Sequence, residues 1–179
     1  MSTIEIAAGI HLDTKALGDD GTFEGYASVF GHVDSHRDVI EPGAFRASLA
    51  VRPAPRIKML RQHRQDEPIG TWIAAAEDSK GLHVKGRLIR EVPLAAQTYA
   101  LMREGALDEL SIGFRTKRER FDRAKGVRHV EEVDLREISI VTFGSNDKAA
   151  ITAFKSQYDP SRIAAELNAL TQKLSRYAK

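Results

Sequence analysis

Short segments in which apolar and polar residues alternate make up most of the chain between residues 22 and 143. In a strand, this alternation puts the apolar side chains on one face and the polar side chains on the other. Many of the connections between the segments are short, whereas parallel strands need crossovers of about a dozen residues or more. The sequence therefore predicts a mostly antiparallel β-sheet accompanied by a few helices.

The individual elements follow from these patterns and from the turn residues between them. Strands are predicted over residues 22–30, 56–63, 69–76, 82–90, 107–116 and 128–143, the last of them bent or bulged. Residues 77–81 are turn-like, which predicts a hairpin between the third and fourth strands. Helices are predicted over residues 42–49, with proline in the first turn, and over residues 93–104, where Gly105 suits the C-cap.

The chain has a length typical of one domain. Its 179 residues are 42% hydrophobic, enough for one compact core. After residue 158 the pattern changes, and an apolar stripe at helical spacing is formed by Ile163, Leu167, Leu170 and Leu174. We expect a β-barrel domain over residues 1–155 and an amphipathic helix or tail over residues 156–179.

Composition excludes several functional classes. The 27 basic and 25 acidic residues give a net charge of +2, so the balance of charge does not indicate a nucleic-acid-binding protein. Because the sequence has no cysteine, disulfides, thiol nucleophiles and cysteine-ligated zinc are excluded. No secretory signal and no stretch of about 20 apolar residues is found, which predicts action in the cytoplasm without a membrane.

Three polar residues stand out on separate predicted strands. Ser111 lies between the apolar residues of the run Leu110-Ser111-Ile112-Gly113-Phe114, so its hydroxyl faces away from them. His63 ends one predicted strand, and Glu137 interrupts another, where it is expected to share a face with Leu135 and Val141. A serine, an imidazole and a carboxylate that meet in the fold can act as nucleophile, base and orienting group. Each alone is more often an ordinary strand or surface residue.

Two further segments suggest other chemistry. His32, Asp34, His36 and Asp38 offer metal ligands at alternating positions, but they lie in a polar loop and lack a distant third ligand, so we expect a solvated turn and no metal. Residues 115–128 are rich in arginine and lysine, with Phe121 as the single aromatic residue. Because Glu119 and Asp122 interrupt the positive charge, we expect an exposed, mobile hairpin and no nucleic-acid binding. Such a hairpin can select protein substrates.

Four ordered segments between residues 22 and 154 resemble the prohead maturation proteases of tailed phages, a family related in fold to herpesvirus assembly proteases. The segments are Phe23-Glu24-Gly25-Tyr26-Ala27-Ser28-Val29-Phe30 with Asp34 and Asp38-Val39-Ile40-Glu41-Pro42-Gly43-Ala44-Phe45; Met59-Leu60 with His63 and Pro68-Ile69-Gly70; Leu110-Ser111-Ile112-Gly113-Phe114; and Leu135-Arg136-Glu137-Ile138-Ser139-Ile140-Val141-Thr142-Phe143. Each segment alone is weak evidence, but the ordered set is specific.

The resemblance implies an α+β fold: a mostly antiparallel β-barrel, herpesvirus-protease-like, surrounded by a few helices. It also implies a serine endopeptidase without a cofactor. Ser111 would be the nucleophile, His63 the base, and Glu137 would take the place of the second histidine of the herpesvirus enzymes. A shift in strand register would replace Glu137 by Glu132 or Asp134, and His129 is a further alternative. Gly144 and Ser145 are weak candidates for backbone donors to the oxyanion.

The resemblance further implies a place of action and partners. The enzyme would act inside the assembling procapsid in the host cytoplasm, on a scaffold protein, on the scaffold-like segment of the major capsid protein, and on itself. We expect a homodimer or higher homo-oligomer, with the portal as a further candidate partner. The alternatives are a non-enzymatic β-barrel that binds scaffold or capsid proteins, and a metal-dependent hydrolase centred on His32, Asp34 and His36.

Overall fold

The computed structural model describes residues 20–153 of the chain, and within this range strands dominate. The eight strands are β1 (Thr22–Val29), β2 (Asp38–Ile40), β3 (Lys58–Arg61), β4 (Pro68–Glu77), β5 (Gly81–Leu88), β6 (Glu109–Asp122), β7 (Val127–Val141) and β8 (Ile151–Ala153). Helix α1 (Arg46–Val51) and a short 3₁₀ helix (Ala54–Arg56) precede β3, and helix α2 (Pro93–Arg103) lies between β5 and β6. The helix or tail predicted over residues 156–179 lies outside the described residues.

The strands form one sheet that closes on itself. Its order is β2-β7-β3-β4-β5-β1-β8, and β6 pairs along β7. The closing contact is made by the segment before and at the start of β8: Ala150 O accepts a hydrogen bond from Tyr26 N–H of β1, and Ala149 O accepts one from Leu110 N–H of β6. The β2–β7 and β3–β7 pairs are parallel and the other five strand pairs are antiparallel. The predicted mostly antiparallel barrel is confirmed.

The interior of the barrel holds one apolar core. Trp72 and Phe23 are each 1% exposed or less and meet edge to face, with ring centroids 5.5 Å apart. All eight strands contribute side chains to this core. The fully buried large side chains also include Phe45, Ile57, Met59, Ile69, Leu82, Leu88, Leu110, Leu135, Ile138 and Ile140.

Helix α2 covers the barrel with one face, whose residues are spaced at i, i+3, i+4 and i+7. Ala95, Thr98, Tyr99 and Met102 are buried, while Leu101 is 36% exposed. Helix α1 starts at Arg46, so Pro42 lies in the preceding turn and not in the first helical turn as predicted. The helix is held to the sheet by the Ser48 hydroxyl, which accepts a hydrogen bond from Leu135 N–H of β7 at 2.8 Å.

The exposed hairpin predicted over residues 115–128 is present, and most of it is strand. Strand β6 continues to Asp122, and β7 begins at Val127, so residues 115–128 form the outer end of one long β-hairpin. Cross-strand ion pairs explain why a strand tolerates so much charge here: Arg118 Nε lies 3.0 Å from Glu131 Oε2, and its Nη1 lies 3.3 Å from Glu132 Oε2. Phe121 is 60% exposed at this end.

No helix among residues 20–153 is long and apolar enough to cross a membrane.

Candidate active site

Strand β7 lies between β3 and β6 and brings the three predicted residues together. In the β6–β7 pair, Ser139 is opposite Ser111, and in the β3–β7 pair the same Ser139 is opposite Leu60. Residues at the end of β3 therefore lie two strands away from Ser111, across β7. Glu137 precedes Ser139 by two positions and points to the same face of β7, since period two governs this part of the strand.

His63 reaches this face through an unusual turn. Strand β3 ends at Arg61, two residues earlier than predicted, and Gln62 and His63 both adopt left-handed backbone conformations with φ of 53° and 60°. Such conformations cost side-chain-bearing residues about 1–2 kcal/mol each. The turn is held by β7, because Gln62 N–H donates to Ile140 O at 3.0 Å and His63 N–H donates to Ser139 Oγ at 3.2 Å. It aims the imidazole back along β7 toward Glu137.

A chain of hydrogen bonds links the three side chains. His63 Nδ1 lies 2.6 Å from Glu137 Oε1, and His63 Nε2 lies 2.9 Å from Ser111 Oγ. A carboxylate can only accept a hydrogen bond, so the proton of the neutral imidazole is on Nδ1. His63 Nε2 then carries a lone pair that accepts the proton of the Ser111 hydroxyl. This is the geometry in which an imidazole can take up a serine proton.

Burial and charge set the electrostatics of this chain. Ser111 is 6% exposed, and the Glu137 side chain is 13% exposed while that of His63 is 43% exposed. The pKa of His63 is raised above its usual value, chiefly because Nδ1 donates a hydrogen bond to Glu137, while partial burial of the ring acts in the opposite direction. Glu137 therefore favours a protonated imidazole, the species that forms after proton transfer.

The face assignment of Leu135 was wrong. Leu135 is fully buried in the core, whereas Glu137 faces His63, so the two do not share a face. The reason is a shift in register: Gly113 pairs with Glu137, but the next residue of β6, Phe114, pairs with Leu135. A bulge at Arg136 lets Leu135 and Ile138 both enter the core.

The alternative third residues have other partners. Glu132 pairs with Arg118, and Asp134 pairs with Arg52, whose Nη1 lies 2.5 Å from Asp134 Oδ1. His129 Nδ1 lies 2.6 Å from Glu41 Oε1. Of the acidic and imidazole candidates, Glu137 is the one that contacts His63.

Three of the four candidate metal ligands of the loop have other partners. His32 Nε2 lies 2.6 Å from Asp147 Oδ1, and Asp38 is paired with Arg128 of β7. Asp34 Oδ1 accepts the backbone N–H groups of His36 and Asp38, as in a polar turn. Within residues 20–153, no three histidine, aspartate or glutamate side chains group as metal ligands do.

The loop after β7 lies beside the serine strand. A Cβ atom at residue 144 would lie 3.0 Å from Leu110 O, so this loop packs closely on the residue before Ser111. The Gly144 N–H group is already engaged, because it donates to Glu109 Oε2 at 2.5 Å. Ser145 and Asn146 line a cavity of about 240 Å³ that opens beside Ser111.

Several strands and loops line this cavity. Leu110, Ile112 and Phe114 of β6 and Ala27 of β1 supply apolar surface. Asp34, His36 and Asp38 supply polar surface. A cleft with apolar walls and a few polar groups is typical of binding sites for side chains of a ligand.

The sequence matches the model of the caudovirus prohead serine protease family over residues 10–162. The chain belongs to this family. The resemblance predicted from four sequence segments is thereby confirmed, and the match covers all three residues of the hydrogen-bonded chain. The chain is also 40% identical over 141 residues to the prohead protease of Enterobacteria phage HK97, an alignment that covers 78% of this chain and 62% of that protein.

Two further phage proteins are similar in sequence to this chain. The capsid polyprotein of Pseudomonas phage PAJU2 is 33% identical over 153 residues, which cover 81% of this chain and 22% of the polyprotein. The prohead protease of Escherichia phage T5 is 28% identical over 160 residues, covering 84% of this chain and 74% of that protein. The chain thus spans less than two thirds of the first two relatives.

Solved structures confirm the fold. The capsid assembly protease of bacteriophage T4 superposes with a TM-score of 0.55 at 12% identity, covering 67% of this chain and 80% of that one. The protease of KSHV in complex with a hexapeptide phosphonate inhibitor superposes with a TM-score of 0.51 at 12% identity, covering 73% and 63%. The prediction that the fold resembles that of herpesvirus proteases is confirmed.

Sequence reasoning did not identify every residue that builds this site. Gly113 makes room for the Glu137 carboxylate, and Ser139 donates a hydrogen bond to it. Neither residue was among the candidates. A usable signal was present for Ser139, which follows Glu137 by two positions and therefore shares its face of the strand.

Proposed function

We propose that this chain is a serine endopeptidase in which Ser111 is the nucleophile, His63 the general base and acid, and Glu137 the group that orients His63. The observation that carries the proposal is the continuous hydrogen-bonded chain from Ser111 Oγ through the imidazole to Glu137. Three residues distant in sequence form it, and membership of the prohead serine protease family supports the same reading.

The reaction follows from this geometry. Ser111 Oγ attacks the peptide carbonyl carbon while its proton passes to His63 Nε2, and the resulting imidazolium is stabilised by Glu137. His63 then gives that proton to the leaving amine as the C–N bond breaks, which leaves an acyl-enzyme. Water attacks the ester with His63 again as base, releasing the carboxylate product and free Ser111.

The negative oxygen of each tetrahedral intermediate needs donors. Backbone N–H groups in such positions contribute about 2.7–4 kcal/mol each to the stabilisation of the transition state. Gly144 and Ser145 remain our prediction, supported by the packing of this loop against Leu110. Gly144 N–H would have to exchange the Glu109 carboxylate for the oxyanion.

The proposed substrates are proteins of the capsid. The names of the relatives include two prohead proteases and a capsid polyprotein, and one structural neighbour is a capsid assembly protease. We propose that the chain trims a scaffold protein, or the scaffold-like segment of the major capsid protein, and also itself, inside the procapsid in the host cytoplasm. A homo-oligomer, and contact with the portal, belong to the same proposal.

Co-expression with the cognate major capsid protein tests the activity. Intact-mass spectrometry is expected to show trimmed capsid protein with the wild-type chain and full-length capsid protein with Ser111→Ala. Ser79→Ala, which changes an exposed serine in the turn between β4 and β5, is the matched control and should leave trimming intact. A Ser111→Ala chain that still trims the substrate contradicts the assignment.

A fluorophosphonate probe gives a second, substrate-independent test. Labelling mapped to Ser111 by peptide mass is expected in the wild type and should disappear in His63→Ala, since the base that activates the hydroxyl is missing. If capsid trimming is instead lost on chelation of metal while Ser111 is dispensable, the hydrolytic proposal in this form is wrong.

A further inference from the structure

Ser139 of β7 forms hydrogen bonds with both Glu137 and His63. Its hydroxyl donates a hydrogen bond to Glu137 Oε2 at 2.6 Å and accepts one from His63 N–H at 3.2 Å. The residue is 0% exposed. A buried hydroxyl that both donates and accepts a hydrogen bond within the same site has a defined orientation.

One hydrogen bond of Ser139 orients the Glu137 carboxylate, and the other holds the backbone of His63. The bond to Glu137 Oε2 holds the carboxylate so that its other oxygen, Oε1, faces His63 Nδ1. The bond from His63 N–H holds the backbone of a residue in a left-handed conformation, which few local interactions would otherwise favour. Ser139 thus ties the acid to the turn that carries the imidazole.

We propose that Ser139 is a positioning residue that holds Glu137 and His63 in register for catalysis by Ser111. This proposal rests on the proposed function for its kinetic consequence, but the geometry it describes concerns the Glu137–His63 pair itself. Ser139 acts through Glu137 and His63, since its hydroxyl forms its two hydrogen bonds with them.

The central variant is Ser139→Ala, which removes the hydroxyl without adding volume. We expect kcat to fall about 10²-fold, the scale on which small misplacements of reacting groups lower rates, while KM stays near its wild-type value. Thr98→Val is the matched control, because it removes another fully buried hydroxyl, one that donates to Leu94 O within α2. The control should keep the wild-type kcat. Equal losses of kcat in both variants, or a loss confined to KM, overturn the proposal.

A second readout does not depend on proteolysis. The ring of His63, followed by ¹H–¹⁵N NMR across pH in the full chain, is expected to titrate above its usual range in the wild type and in Thr98→Val. In Ser139→Ala the titration should move to lower pH, because a Glu137 carboxylate that Ser139 no longer holds stabilises the protonated ring less. An unchanged titration overturns the proposal even if activity falls. If the wild type shows no proteolysis, the proposed function fails while this titration still decides the role of Ser139.

A third variant covers failure of Ser139→Ala to fold. Ser139→Cys keeps a side chain of similar shape, but a thiol is a weak donor and a weak acceptor. Its kcat and its His63 titration should lie between those of wild type and the values expected for loss of the hydroxyl. Wild-type values in both measurements overturn the proposal.

Discussion

Glu137 places its carboxylate in the space that a side chain on Gly113 would occupy. A Cβ atom at residue 113 would lie 2.1 Å from Glu137 Oε1 and 2.7 Å from its Cδ, closer than such atoms approach in proteins. Gly113 is two residues after Ser111 on β6, so the same strand supplies the serine and the room for the acid that supports the imidazole. The glycine of the run Leu110-Ser111-Ile112-Gly113-Phe114 is therefore part of the site.

Gly113→Ala is expected to displace the Glu137 carboxylate from His63 Nδ1 and to leave Ser111 in place. The proteolytic kcat should fall about 10²-fold, because His63, the proposed base, loses its orientation while Ser111, the proposed nucleophile, remains. Steady-state kinetics on a peptide spanning the cleavage site measures this. Gly105→Ala is the control: its φ of 71° makes alanine unfavourable, but it lies after α2 in open space, so it should lower stability and leave kcat unchanged.

Glu137→Gln should lower kcat further than the loss of position alone. A neutral amide no longer stabilises the imidazolium and permits the wrong tautomer of His63, an effect of about 10⁴-fold when the acid of a serine triad is changed to its amide. Residual activity should exceed that of Ser111→Ala, since the proposed nucleophile and the proposed base both remain. Glu132→Gln, which changes an acid paired with Arg118, is expected to keep wild-type kcat. Wild-type turnover in Glu137→Gln would move the third role to another residue.

The pH dependence of kcat/KM should show an acid limb above the usual pKa of histidine. His63 must be unprotonated to accept the serine proton, and its hydrogen bond to Glu137 raises its pKa, so activity appears only as the pH rises through that raised value. In Glu137→Gln the limb should shift to lower pH, because the main cause of the raised pKa is removed. A limb that does not shift in Glu137→Gln would mean that another group titrates in this range.

The same pairing links stability to pH with a defined sign. Since the folded-state pKa of His63 is raised, the folded chain binds the imidazole proton more tightly than the unfolded chain does. The stabilisation is fully present below the unfolded-state pKa of about 6.5 and is lost as pH rises through the folded-state value. Urea unfolding of Ser111→Ala and of Ser111→Ala/Glu137→Gln across pH 5 to 9 measures this. The difference in unfolding free energy between them should shrink with rising pH, and a difference that grows would contradict the assignment.

Alternation in the sequence was sufficient to predict most strands and to mark Ser111 and Glu137 as polar residues within strands. The assignment of Ser111, His63 and Glu137 to one catalytic set came from the resemblance to a known family. Alternation was not sufficient where the backbone departs from period two. The bulge at Arg136 turns Leu135 into the core, and the left-handed turn at Gln62 aims His63, but neither leaves a residue type that marks it. Ion pairs formed across the hairpin, such as Arg118 with Glu131, similarly depend on a partner strand that local sequence does not show.

Asp38 and Arg128 provide a prediction about the fold rather than the chemistry. They are register partners in the parallel β2–β7 pair, and the guanidinium binds the carboxylate through two hydrogen bonds, with Arg128 Nε 2.7 Å from Asp38 Oδ1. Asp38 is 5% exposed, whereas the Arg128 side chain is 37% exposed. Removing the arginine would leave a nearly buried carboxylate without its cation.

Arg128→Gln should therefore lower the free energy of unfolding by about 2 kcal/mol, less than for a fully buried pair because water reaches the guanidinium. Adding Asp38→Asn removes the stranded charge, so the double variant should recover part of the loss in urea unfolding. Arg64→Gln, which changes an exposed arginine beside Asp66, is the control and should leave unfolding unchanged. A double variant as unstable as Arg128→Gln would show that the buried charge is not the cause, since only the charge, and not the shape of residue 38, differs between them.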